Sequence, residues 1–419
     1  MKIAVIGSGI SGLTAAHLLS EKHEVSVFEA NGYIGGHTNT VPVVVAGKTY
    51  QIDTGFIVFN DRTYPNFQKL LQRIEQGYQQ SEMSFSVCNQ QTGLEYNGHN
   101  LDTLFAQRRN MLSLRFYLLI KEIVSFNKEA KALYQSYNDD LVSLQDFIQY
   151  KQYSPYFTRH YLLPMVAAIW SCSLNDALNF PLKFFTQFFY HHGLLNITDR
   201  PQWFVIEGGS SSYIPALIES FKTRLHLHTP VERVSRQPEC VHIESHRGLE
   251  KFDHVVFACH SDQALALLAE PTEQEVAVLS KMKYQANDVV LHTDKTMMPK
   301  RKKAWASWNF YLKTNAQHDD PALVTYYMNR LQGLPEDGST PDFFVTLNGT
   351  KYIDEKKILR RFSYDHPVMN QAMIDAQAKR NVISGINNTH FCGAYWYNGF
   401  HEDGVKSALD VCKSFGVTL

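Results

Sequence analysis

The sequence predicts an α/β protein: a Rossmann-like domain assembled from discontinuous segments, and a second domain combining a mixed or antiparallel sheet with a helical insertion. Three observations predict it. A strand, a glycine-rich turn, a helix and a second strand follow one another within the first 29 residues; the chain then turns helical and later β-rich; and a glycine-bounded strand and helix return at the end of its 419 residues. This order assigns residues 1–61, 201–271 and 381–419 to the Rossmann-like domain, and 62–200 with 272–380 to the other. A chain of this length can bury two or three cores.

The opening is the most informative stretch. Residues 3–6, "IAVI", suit a buried parallel strand, and Gly7, Gly9 and Gly12 follow in G-x-G-x-x-G spacing before the helical "LTAAHLLSE". Gly7 permits the tight turn, Gly9 lets a pyrophosphate approach the backbone, and Gly12 lets helix and strand pack closely. The second strand, "EVSVF", ends at Glu29, placed to accept both hydroxyl protons of a ribose while the positive helix end faces the phosphates. Ser8, Ser11 and Ala30, beside these positions, are counted with the cofactor contacts. A ligand-free glycine turn is the competing reading, and strand, helix and acid in register weigh against it.

Residues 31–60 extend the pattern with Gly35-Gly36-His37, a hairpin closing at Ala46-Gly47-Lys48, and Asp53-Thr54-Gly55. Here the sequence resembles the flavin amine oxidase and phytoene desaturase superfamily, whose members follow the ribose-binding acid with G-G-[basic]-x-x-[ST] and a later D-x-G. The resemblance implies an amine-oxidase-like fold and FAD. It places Gly35, Gly36 and His37 along the pyrophosphate, and Gly55 and Phe56 near the isoalloxazine ring. His37 stands where the superfamily usually has Arg, so a permanent cation is expected to become one that titrates near neutrality, making pyrophosphate binding weaker or pH-dependent.

From about residue 62 to 200 apolar residues recur at helical spacing, and Ser143 with Asp146 marks a helix start. "RRNMLSLRFYLLIKE" sets Arg108, Arg109, Arg115 and Lys121 among Leu, Phe and Tyr. An ordinary amphipathic helix on the core is the first reading, an anionic membrane surface the second. The aromatic run ending in His191-His192 fits core or an apolar tunnel; adjacent histidines lack the spacing of metal ligands, and no metal is expected.

"IEGGSSSYIPALIES" and "LHLHTPVERVSR" return to the first fold, and the resemblance sets Val231 beside the adenine end of FAD. Cys259 and His260, at a strand tip, point to opposite faces and so do not form a nucleophile pair. Four strand-like runs, "DVVLHTD", "WASWNFYL", "LVTYYMN" and "FFVTLN", make residues 272–380 β-rich, and "PKRKKAW" sets four cations beside Trp. That cationic run reads either as a solvated loop or as a contact for an acidic or membrane partner.

The set "DTGFIVFN", "AIWS", "ACHSDQAL", "VVLHTD", "WASWN" and "GFHEDGV" is more similar to the predicted NAD/FAD-binding flavoproteins associated with cyclopropane-fatty-acyl-phospholipid synthases. In the final segment, "HFCGA" is expected to be a strand ending at Gly393, and Asp403-Gly404-Val405 to begin a helix. The resemblance directs that helix start at the flavin's pyrimidine carbonyls. Tyr395, Trp396 and Tyr397 become candidates for the substrate wall, with core packing the competing reading. His401 stays a candidate acid-base group, and Cys392, near the ring by analogy, raises a covalent link against the simpler reading of a buried thiol.

Composition narrows the partners. Forty Lys and Arg against 41 Asp and Glu give a net charge of -1, which provides no global field for nucleic acid. Six scattered Cys, without C-x-x-C spacing, read as reduced thiols. With no long apolar run, a cytoplasmic protein is expected, open to peripheral contact with the inner membrane face. The expectation is therefore a FAD-dependent oxidoreductase moving a hydride to or from an apolar substrate, such as a fatty acyl chain or its methylated or cyclopropane derivative on phospholipid. An oxidase of small amines and a noncatalytic flavin-binding partner of a lipid methyltransferase stay open beside it.

Overall fold

The computed structural model describes residues 1–135, 142–314 and 319–419. A five-stranded parallel sheet runs in the order Leu225–His226, Glu24–Phe28, Lys2–Ile6, His254–Phe257, Thr389–Phe391. Three stretches far apart in the chain thus meet in one sheet. Ile3, Ala4 and Val5 are fully buried, so consecutive side chains on both faces are covered, which is what an unbroken apolar run requires of a central parallel strand. The Ile10–Leu19 and His401–Ser414 helices pack on each other beside this sheet. Their closeness depends on Gly404, where a Cβ would stand 2.6 Å from Ile10 Cγ2.

The second sheet has seven strands, in the order Ile358–Pro367, Tyr284–His292, Phe344–Leu347, Val324–Tyr327, Trp308–Leu312, Phe85–Asn89, Leu94–Asn97. All pairings are antiparallel except that of Trp308–Leu312 with Phe85–Asn89. Two of its strands come from residues 62–200, where helix was expected. A third strand there, Tyr78–Ser81, pairs with Trp203–Ile206, which also pairs with Val58–Asn60. "LEYN" is buried at every position and "FSVCN" at all but one, so neither shows the alternation that marks a half-exposed strand. Ile358–Pro367 hid for the opposite reason: it is an edge strand carrying exposed Arg360 and Arg361, charges that discourage further pairing.

Most of the other described residues of 62–200 lie in helices, of which Leu114–Gln135 is the longest. Phe126 sits at the centre of this insertion, its ring 5.5–6.0 Å from those of Phe147, Tyr153, Phe157 and Phe185. Ser143 caps the Leu144–Tyr150 helix, and Asp146 Oδ2 accepts from the Ser143 N–H at 2.8 Å, the reciprocal box that the sequence shows. The hairpin Thr40–Val45/Lys48–Asp53 turns through Ala46 (φ 52°) and Gly47 (φ 77°), as a two-residue hairpin turn demands. Among the described residues no helix is long and apolar enough to cross a membrane.

Candidate functional site

The carboxyl end of the parallel sheet collects the predicted residues. Gly7 leaves its strand at φ 105°, and its N–H donates to Phe28 O at 2.8 Å. A Cβ at Gly12 would stand 2.0 Å from Gly7 O, so helix and turn touch through backbone. At Gly9 the same atom would meet nothing within 4 Å, leaving open space where the helix begins. Gly35, at φ 121°, donates its N–H to Ser8 O at 3.0 Å, and a Cβ on Gly36 would lie 3.3 Å from Gly9 Cα. Both glycine segments therefore frame one backbone cradle, of the kind that admits a pyrophosphate.

Glu29 closes one side of the cradle. Its Oε2 accepts from Ser8 N (2.9 Å) and Ser8 Oγ (2.6 Å), and its Oε1 from Asn31 N (2.8 Å) and Nδ2 (3.0 Å). Protein donors fill the carboxylate, so ribose hydroxyls have to exchange with the rotatable Ser8 and Asn31 side-chain donors. Thr229 N donates to Glu29 O at 2.8 Å, bringing buried Val231 towards this end, whereas Ala30 is exposed.

His37 departs from expectation. It is half-buried, with ring centroids of Tyr364 and His366 at 4.9 and 5.5 Å, and its buried Nε2 has no hydrogen-bond partner. Burial pushes its pKa down to about 3, helped by His366 and His260, so the ring is a neutral group rather than a cation titrating near neutrality. An unpartnered buried nitrogen beside a glycine cradle is the kind of atom a bound cofactor satisfies.

The C-terminal segment meets this frame through aromatic and hydroxyl groups. The helix begins at His401, two residues before the expected Asp403. The His401 imidazole stacks on Phe56 at 3.6 Å and 6°, and its Nε2 lies 2.8 Å from Tyr213 Oη, itself 2.5 Å from Thr38 Oγ1. Burial holds His401 well below the usual histidine range, which suits it to orienting Phe56 rather than to exchanging protons with substrate.

The acidic run is used on caps. Asp403 Oδ2 accepts from Phe400 N at 2.9 Å; Glu402 accepts from Asn66 N, Asn66 Nδ2 and Phe67 N at 3.1, 2.6 and 2.8 Å, capping the Pro65–Arg73 helix. The first-turn N–H groups of His401, Glu402 and Asp403 are left without intrahelical acceptors, the donors a helix start offers to an electron-rich ligand. Gly404 serves helix packing, and Val405 is fully buried.

Gly393 N donates to Ser407 Oγ at 2.8 Å, and the ring of Tyr395 lies where a Gly393 side chain would be. Tyr395 and Trp396 are both 3% exposed, yet Tyr395 Oη and Trp396 Nε1 lack partners. Tyr397 is turned to Asp410, away from the wall expected of it. Cys392 is fully buried, and burial lifts its thiol to about 12, as for an inert core cysteine.

Sequence reasoning missed Phe400. Its ring lies 5.1 Å from Phe188, 5.9 Å from His192 and 6.5 Å from Trp170, joining the helical insertion to the cofactor frame through the next residue, His401. Only the spacing of "FFTQFFYHH" hinted that this insertion presents aromatics inward.

Residues 10–414 match the model of the flavin containing amine oxidoreductase family. The chain belongs to that family. The family is one of flavin-containing oxidoreductases, and the fit of glycine cradle, acid and unpartnered His37 agrees with FAD as the cofactor. The protein is 55% identical over 62 residues to a 4,4'-diapophytoene desaturase of Staphylococcus aureus (strain MRSA252); the match spans 15% of this chain and only 12% of the relative's length. Cyclohexylamine oxidase from Brevibacterium oxydans IH-35A superposes with TM-score 0.69 at 15% identity over 99% of both chains. A CLA-producing fatty acid isomerase from P. acnes gives 0.68 at 14%, over 99% of this chain and 98% of that one. At such identities the likeness is one of fold.

Proposed function

We propose that this oxidoreductase acts on an apolar carbon chain, a fatty acyl group or its methylated or cyclopropane derivative on phospholipid. The observation that carries the reading is the aromatic wall of Phe400, Trp170 and Phe188, contiguous with the stacked Phe56–His401 pair. It offers no charge for an ammonium. Glu402 and Asp403 cap helices, while burial lowers His192 to about 4 and its Nδ1 is 2.9 Å from Phe188 O. An acyl chain needs no ion pair, only apolar contact and exclusion of water. A desaturase and a fatty acid isomerase stand among the similar proteins, and so does an amine oxidase.

FAD, when bound, supplies two-electron chemistry by taking or giving a hydride. Gly7, Gly9, Gly12, Gly35 and Gly36 would admit its pyrophosphate, Ser8 and Ser11 lie on the same turn and helix start, and Glu29 with Val231 would hold the nucleoside end. Gly55 and Phe56 would lie beside the ring, and the helix start at His401–Asp403 would face its carbonyls. Phe400 and Trp170 then hold the substrate carbon in place and keep water out. Anaerobic mixing of the FAD-loaded protein with phospholipid extracts, putrescine, cyclohexylamine and reduced nicotinamides tests this. Lipids are expected to bleach the flavin absorbance; bleaching by the amines alone, or by none of the panel, sinks the proposal.

A further inference from the structure

We propose that the face formed by Leu101, Met111, Leu112, Leu114, Tyr117 and Leu118 docks on an anionic phospholipid bilayer. The Leu114–Gln135 helix buries Phe116 and Leu119, with Phe116 against Phe105 and Tyr96, yet its first turns also present Leu114, Tyr117 and Leu118 to solvent at i, i+3 and i+4. A helix packed on a core normally turns polar residues outward at these positions. Instead Leu112 is 92% exposed, Leu114 82% and Leu101 75%. Scattered exposed leucines need no explanation, but a contiguous corner of them does.

The surroundings of this corner say what covers it. Arg108 and Lys303, nearly two hundred positions apart in sequence, both bind Asp102. Lys300 and Arg301 donate backbone N–H groups to Glu95 at 2.9 and 3.3 Å, and Arg109 donates to Gly93 O at 2.9 Å. Arg115 lies 4.0 Å over the Tyr156 ring. The fold thus gathers the Lys300–Lys303 run with Arg108, Arg109 and Arg115 around the apolar tip, and among the described residues the carboxylates paired with them are Asp102 and Glu95. In a chain of net charge -1 this is a local positive field. Cations ringing exposed leucines complement anionic headgroups over an acyl boundary. A second copy of the same face would set like charges together.

This surface goes beyond the proposed chemistry and does not depend on it, because the test reads binding and not flavin reduction. The FAD-loaded protein is sedimented with vesicles of phosphatidylcholine alone or mixed with phosphatidylglycerol, at low and high salt. Binding is expected to favour the anionic vesicles by at least about tenfold and to weaken as salt rises. Leu112→Ser with Leu114→Ser is expected to lower it by at least about tenfold, with flavin absorbance and melting temperature unchanged. Equal partition to both vesicle types overturns the proposal. So does undiminished binding of the double variant, or sedimentation analysis showing a dimer that the double variant dissolves.

Discussion

The two halves of the site are built on different principles. Around Gly7, Gly9, Gly12, Gly35 and Gly36, function is shaped by backbone: turns, missing side chains and helix ends set geometry that any neighbouring sequence has to respect. Around Phe400, Trp170 and Phe188, it is shaped by side chains from segments more than two hundred residues apart, and no local signature joins Phe400 to the other two. Backbone geometry tolerates no added atoms where it is closed, and side-chain packing is costly to empty. These two failure modes separate the halves experimentally.

The largest effect is expected at Gly12. Its absent Cβ lies 2.0 Å from Gly7 O, a backbone atom fixed in the turn that begins the helix. Gly12→Val is expected to destabilise the fold by more than about 3 kcal/mol and to give little flavin-bearing protein. Soluble yield, the ratio of flavin to protein absorbance and urea unfolding measure it; a valine variant that melts like the parent breaks the backbone half of the comparison.

Phe126→Ala probes the other half. Phe126 is fully buried and belongs to a different apolar cluster from the one holding Val5 and Val405. Emptying it is expected to cost about 3–5 kcal/mol in urea unfolding, while the protein that folds keeps its full flavin content. Parallel loss of flavin would show that the insertion and the nucleotide frame are not separable.

What could be seen in the sequence follows the same division. The first strand, the glycine turn, the helix and Glu29 announce themselves because each is dictated by local backbone need, and the Ala46-Gly47 turn and the Ser143 cap do so for the same reason. The strands Phe85–Asn89 and Leu94–Asn97 do not, since burial on both faces erases their period and their place in the seven-stranded sheet is set by Trp308–Leu312, far along the chain. His37 shows a third case: its identity is plain, but its charge state is set by burial of the ring, with His366 and His260 adding to it, and no motif connects those residues to it. Glu402 is a fourth: its place beside His401 is plain in the sequence, but the helix it caps at Asn66 and Phe67 lies more than three hundred residues away, and only the fold brings the two together.

Asp53 gives a smaller, pH-dependent effect in the backbone half. Burial raises its carboxyl from 3.8 to about 6, against the hydrogen bonds from Thr40 and Ser210 to Oδ1, and Oδ2 has no partner. The folded protein therefore holds this proton to higher pH than the unfolded chain. Its contribution to stability is complete below the unfolded value and is lost as pH rises through the folded one, with a slope of at most about 1.4 kcal/mol per unit. Asp53→Asn keeps Oδ1 as acceptor and cannot ionise. Relative to the parent, its urea midpoint is expected to rise between about pH 4 and pH 6 and then level off. A constant difference across that range would remove Asp53 as the source.

The smallest expected change in stability is also the sharpest test of the comparison. Gly9 has φ -68° and ψ 176°, a conformation open to any residue, and its Cβ would meet nothing within 4 Å. Gly9→Ala should therefore leave the unfolding free energy of flavin-free protein within about 0.5 kcal/mol of the parent, unlike Gly12→Val in the same turn. If the open space is where the pyrophosphate approaches the backbone, the added methyl meets cofactor and not protein, and FAD affinity is expected to fall at least about tenfold, or about 1.4 kcal/mol. Titration of the flavin-free variant with FAD, followed by quenching of flavin fluorescence, reads that number directly. An unchanged affinity would mean that the cofactor keeps away from Gly9, and that the glycine there has a role other than admitting a phosphate.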